Sequence, residues 1–201
     1  MNTPYDNTTP RPAAPAARTY RPRLSFFHAN AKGTGSALTF ELVPATAEAE
    51  GCVRAKITGQ MTVGDRSGPT PVYPRFDWGN ALSLKLGFTD LSKMLQVFRG
   101  ECESLEDGKG LYHRSAKGLT RICLRHILEP FAGYSLEVYR SAQTVQDEGR
   151  AAFLFHPHEA LGLAAALESS FGVLCFGLPT AAAETAPRAA ARPAEEASHA
   201  A

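Results

Sequence analysis

Phe27-His28-Ala29-Asn30-Ala31-Lys32-Gly33 and Tyr112-His113-Arg114-Ser115-Ala116-Lys117-Gly118 follow one pattern, aromatic-His-x-(Asn/Ser)-Ala-Lys-Gly, 85 residues apart. Four of the seven positions are identical and two more are close chemical substitutes. Each copy leads into strand-like sequence, so the chain reads as one unit written twice. Such a duplication has to be recognised before a fold is assigned.

Around the first copy, apolar residues recur at every second position. Leu38, Phe40 and Leu42 alternate with Thr39, Glu41 and Val43, and Val53, Ala55 and Ile57 with Arg54, Lys56 and Thr58. Leu82, Leu84 and Leu86 alternate with Ser83 and Lys85. This period predicts strands with one apolar and one polar face, and residues 25–28 supply a fourth. Residues 64–74, full of Gly, Pro and Asp, read as an extended loop. The period then changes: Leu91, Met94, Leu95 and Phe98 fall at i, i+3, i+4 and i+7, the stripe of a helix capped by Thr89-Asp90 and stopped at Gly100.

The second copy repeats the recipe. Tyr112-His113 opens a strand; Ile122 and Leu124 alternate with Arg121, Cys123 and Arg125; Tyr134, Leu136 and Val138 alternate with Ser135 and Glu137; residues 151–155 form a short apolar strand. Pro157 suits a first helical turn with Glu159 beside the positive helix end, and Ala160, Ala164, Leu167 and Phe171 give the buried stripe. The expected architecture is α+β: two ββββα pseudo-repeats at about 24–100 and 110–177, two antiparallel four-stranded sheets packed with two helices. Segments 101–110 and 141–149 read as loops.

Residues 1–22, rich in Pro, Ala, Thr and Arg, read as a disordered basic arm, and the Ala/Pro-rich 179–201 as a disordered tail. The arm reads equally as a phosphate-touching segment or a solubilising tail, with a transit peptide the lesser alternative. The single domain expected at 23–178 has roughly 155 residues, a normal size for one core. No apolar run of membrane-spanning length and no secretory signal is evident, so no membrane partner and a cytoplasmic, nucleoid-associated or organellar location are expected. Cys52, Cys102, Cys123 and Cys175 are scattered without a C-x-x-C pair, which predicts free thiols. Net charge is +1. Arg11, Arg18, Arg21 and Arg23 against Asp6 give the first 23 residues +3, leaving a near-neutral middle. Any binding of nucleic acid must therefore rest on local basic rows with stacking rings.

The polar strand faces supply those rows. Lys32, Lys56, Lys85, Lys117, Arg121 and Arg125 are the candidate phosphate contacts, with Arg54 beside them, and Phe27, Trp78, Tyr112 and Tyr134 the candidate stacking platforms. Trp78 reads equally as a core residue at the loop-to-strand junction. Stacking on aromatic rings contributes about 1–3 kcal/mol per base and tolerates any base.

A family resemblance adds to this. The run 31–39, Ala-Lys-Gly-Thr-Gly-Ser-Ala-Leu-Thr, resembles the Lys-Gly-Lys-Ala-Ala-Leu strand motif of the Whirly family of single-stranded-DNA-binding proteins, although Thr34-Gly35-Ser36 stands where the motif has its second lysine. Arg75-Phe76-Asp77-Trp78 is similar to that family's Tyr-Asp-Trp, and Gly133-Tyr134 to its Gly-Tyr strand. The order of elements over about residues 24–177 matches too, as it does for the related purine-rich-element-binding and kinetoplast guide-RNA-binding proteins. The resemblance implies a homotetramer with splayed sheets, central helices and single strands lying along the sheets. It places Lys32, Gly33, Ala37 and Leu38 on the family's strand motif.

Two other classes fit the residues less well. For an enzyme, His28, His113, His126, His156 and His158 are available, but no carboxylate or cysteine accompanies the repeated histidines at a shared spacing. They read as groups that hydrogen-bond locally or touch phosphate. No phosphate loop or nucleophile elbow is present in the sequence. A protein-interaction or structural oligomer fits the near-neutral middle better than it fits the basic, aromatic faces. The sequence thus predicts a non-enzymatic binder of single-stranded DNA, or RNA, with low sequence preference, no cofactor and no metal, acting in DNA maintenance or transcription regulation.

Overall fold

A computed structural model describes residues 23–116, 118–142 and 148–178. The predicted arm at 1–22, the predicted tail at 179–201 and Lys117 lie outside the described residues. The first repeat runs β1 (Arg23–His28), β2 (Ser36–Val43), β3 (Cys52–Thr62), β4 (Arg75–Phe76), β5 (Leu82–Leu86) and α1 (Phe88–Phe98). The second runs β6 (Leu111–Ser115), β7 (Gly118–Ile127), β8 (Gly133–Ser141), β9 (Gly149–Phe155) and α2 (Pro157–Phe176).

All pairings are antiparallel. The second sheet has the expected four strands in the order β6-β7-β8-β9. The first has five, because the two-residue β4 pairs with β3 at Gln60 and Thr62 across a register shift. Its reason is length: β3 has eleven residues and β5 five, so the far end of β3 would otherwise present unpaired backbone groups.

The inward positions of both sheets and the helix stripes meet in one core that draws on both repeats. Aromatic rings join them: Phe26 of β1 lies 6.1 Å from Phe153 and 5.6 Å from Phe155 of β9, and Phe98 of α1 lies 5.8 Å from Phe155. Phe153 and Phe155 have no accessible surface, and truncating such a ring costs about 3–5 kcal/mol.

Both helices start alike. The N-cap of α1 is Gly87, two residues before the expected Thr89-Asp90 cap; Asp90, three residues on, accepts the Gly87 N–H at 2.9 Å. In α2 Glu159 accepts the His156 N–H at 2.9 Å. A carboxylate in the third helical position satisfies one orphan donor and faces the positive helix end. α2, with 20 residues and mean hydropathy 1.4, is long and apolar enough to cross a membrane by length and composition; here it buries Ala160, Leu163, Ala164, Leu167 and Leu174 in the core. The predicted loop 101–110 contains a 3-10 turn, Leu105–Gly108, anchored by buried Leu105.

Candidate nucleic-acid interface

Residues directly opposite in an antiparallel sheet share a face, so register alone assembles the outer surface of the first sheet. One row is Arg23, Glu41, Arg54 and Lys85; the next is Ser25, Thr39, Lys56 and Ser83; the third is Phe27, Ala37 and Thr58. Neighbouring strands stand about 4.8 Å apart and successive same-face rows about 6.7 Å. Arg23 is paired to Glu41 at 3.2 Å. Arg54, Lys56 and Lys85 are exposed and, among the described residues, hold no ion pair or side-chain hydrogen bond. They form a basic patch across two adjacent strands.

An aromatic group stands at the end of this face. Phe27 is 56% exposed, with Phe76 at 5.6 Å and Trp78 at 6.3 Å in edge-to-face contact. Trp78 is held there by Asp77, whose side chain accepts from the Asn80 N–H at 3.3 Å and from Asn80 Nδ2 at 2.8 Å. The Asp77 carbonyl accepts the Thr58 hydroxyl at 2.6 Å, tying the 3-10 turn Trp78–Asn80 to β3. Trp78 is therefore a partly exposed surface ring, not a core residue.

Lys32 is presented by a built turn at the same end. Asn30 Oδ1 accepts the backbone N–H groups of Lys32 (3.0 Å) and Thr34 (3.1 Å). Gln60 of β3 clasps the loop, accepting from Asn30 N (2.9 Å) and Gly35 N (3.2 Å) and donating to Asn30 O (3.0 Å). Gly33 takes φ 71°, which favours glycine. The Asn of the repeated pattern thus organises the turn that carries its Lys.

The second sheet has a matching row, Tyr112, Arg121, Tyr139 and Arg150, but its cations are engaged. Arg121 lies 5.9 Å from the Tyr112 ring centre and donates to the carbonyls of Lys109 (2.7 Å) and Gly108 (2.9 Å). Arg125 and Arg150 pair with Glu137 at 3.0 and 3.3 Å, and the Tyr139 hydroxyl donates to the same carboxylate. That hydroxyl first, then the two guanidinium groups, hold the Glu137 carboxyl below its ordinary range against the opposing effect of burial.

Tyr134 departs from the stacking role expected of it. It shares parity with Leu136 and Val138, so its ring faces the core, 5.3 Å from Phe98, and its hydroxyl donates to the Phe98 carbonyl at 3.1 Å. Phe98 ends α1, so this bond satisfies a carbonyl the helix leaves unpaired. The structure thus brings Phe27, Trp78, Lys56 and Lys85 onto one sheet, with Lys32 at its edge, and sets Tyr112, Arg121 and Arg125 on the other.

The repeated histidines are structural partners, and the pairing is crossed. His28 of the first repeat meets Glu159 of α2 (2.7 Å), while His113 of the second meets Asp90 of α1 (3.1 Å). Each copy thus clamps the first turn of the other copy's helix, so the expectation of purely local hydrogen bonding is corrected. The bond to Asp90 raises the His113 pKa above its ordinary value against the effect of burial. Burial pushes the Asp90 carboxyl up, but the bonds from His113 and the Gly87 N–H, with the charges of His113 and Lys93, outweigh it and leave the pKa low. His28, Glu159 and nearby His156 also bring possible metal-binding atoms together, on the opposite face of β1 from Phe27.

No family model matches the sequence, and no curated protein matches it. Solved structures do match the fold. WHY1 from Arabidopsis thaliana superposes with a TM-score of 0.59 at 15% identity, covering 78% of this chain and 86% of that one. A plant transcriptional regulator, PBF-2, gives 0.55 at 16%, with 76% and 89% covered. The MRP1/MRP2 proteins of Trypanosoma brucei give 0.53 at 14%, with 77% and 86% covered. The chain has the Whirly-like fold of two sheet-and-helix repeats.

Proposed function

We propose that this protein binds single-stranded nucleic acid, DNA in the first place, along the outer face of its first sheet, without strong sequence preference and without catalysis. The observation that carries this reading is the joint placement of Arg54, Lys56 and Lys85, unpaired among the described residues, beside the exposed rings of Phe27 and Trp78. Cations in adjacent rows attract a phosphate backbone, and rings at the end of the face take unstacked bases. Phosphate attraction and ring stacking are open to every base, which is why the preference is low. Support also comes from the neighbours of the same fold, one of which is a guide-RNA-binding protein complex bound to a guide RNA (TM-score 0.50, 14% identity, 76% and 90% covered) and another the plant transcriptional regulator.

A homo-oligomer, a tetramer by the resemblance, belongs to the same proposal. The helical side leaves large apolar groups uncovered: Leu161 is 73% exposed, Phe176 89%, and Phe88, 52% exposed, packs at a tilt against Phe171 at 5.0 Å. Large apolar groups exposed along the helices suit self-association. Electrophoretic shift of a labelled single strand tests the reading. Unlabelled single-stranded DNA should compete fully and duplex weakly, with RNA competition deciding between the two ligands; no shift at low salt would overturn it.

A further inference from the structure

The two histidine clamps differ at the N-cap of the helix that each one holds. Where α1 has Gly87 at its N-cap, α2 has His156. N-cap side chains normally accept a bond from the helix's first N–H groups, yet the His156 ring makes no such bond. Its neighbours are other rings: Phe131 at 5.0 Å, His28 at 5.4 Å and the nearly parallel His158 at 5.5 Å. One donor atom from each of His28, His156 and Glu159 lies within 4.8 Å of the other two. We propose that these three side chains form a zinc site, with imidazole nitrogens from His28 and His156, a carboxylate oxygen from Glu159 and water in the fourth position.

Two histidines and one glutamate are a donor set that zinc accepts, at about 2.0–2.2 Å per bond and therefore with donor atoms about 3.3 Å apart. His28 and Glu159, in hydrogen-bond contact at 2.7 Å, have only to part slightly as an ion replaces the shared proton, and the exposed His156 ring has to swing inward. Glu159 is oriented for the task, because its other oxygen accepts the His156 N–H. The positive end of α2 disfavours a cation, and the negative charge of the Glu159 carboxylate in its first turn offsets this. A bound ion would tie the end of β1 in the first repeat to α2 in the second, one residue from Phe27. The twin clamp at His113 and Asp90 lacks the second imidazole and serves as an internal control.

Calorimetric titration of the full chain with Zn2+, in a buffer that does not chelate it, tests the proposal without any nucleic acid. Wild type should bind one ion per chain and melt at higher temperature when loaded. His156→Ala should bind at least roughly tenfold more weakly and melt with wild type in the absence of metal, because its ring is exposed, whereas His126→Ala should bind as wild type does. Substitution with Co2+ should give the spectrum of nitrogen and oxygen ligands. Absence of binding, equal binding by His156→Ala, or thiolate bands from the free cysteines would each overturn the site.

Discussion

His113 and Asp90 each keep the other charged, and the sign of that coupling fixes a pH window. The His113 value is raised above 6.5, so its contribution is complete below that value and is lost as pH climbs through the raised one. The Asp90 value is depressed below 3.8, so its contribution is present above 3.8 and lost as pH falls through the lowered one. The clamp is therefore strongest between 3.8 and 6.5. His113→Gln should cost about 1–2 kcal/mol of folding stability near pH 5.5, less than a fully buried charged bond, and less still near pH 9. Denaturant melts at the two values check this, and an equal loss at both would show that charge is not what the pair contributes. Sequence spacing could not reveal this pair, because each carboxylate belongs to the other copy: 131 positions separate His28 from Glu159, and 23 separate His113 from Asp90. Tyr134 is the opposite case, since its parity with Leu136 already pointed it inward, and only the appeal of a surface tyrosine argued otherwise.

At the scale of the element, register decides which sheet is open. Alternation along β3 and β5 was enough to put Lys56 and Lys85 outward, and pairing then set Arg54 directly across from Lys85. The same alternation put Arg121 and Arg125 outward on β7, but their fate turned on Glu137 of the adjacent strand and on carbonyls of the 3-10 turn, neither of which periodicity reports. A cation already paired with a carboxylate gains little from a phosphate. Lys56→Ala with Lys85→Ala should therefore reduce the salt dependence of single-strand binding by about 1.4 in the log–log slope. Arg125→Ala should leave the slope nearly unchanged. Filter binding across a salt series reads both, and equal effects from the two sheets would contradict the assignment to the first.

For the molecule as a whole, duplication was the feature that made the fold legible: eight strands and two helices followed from period and from the repeated pattern. What lay beyond reach was the joint between the copies, made of crossed clamps and of Phe26 set among Phe153 and Phe155. Those contacts fix the two sheets back to back against the helices, so the outer face of the first sheet stays free while its inner face is spent on the core. Trp78 is the single tryptophan of the chain and stands on that outer face, so its emission reports on the surface in question. The most direct measurement is a titration with a short oligothymidylate at low salt, followed by tryptophan fluorescence and, in parallel, by anisotropy of a labelled strand. Saturable quenching of Trp78 that coincides with the anisotropy change and weakens in Lys56→Ala/Lys85→Ala is the predicted result; binding with no change at Trp78, or no binding, would contradict it.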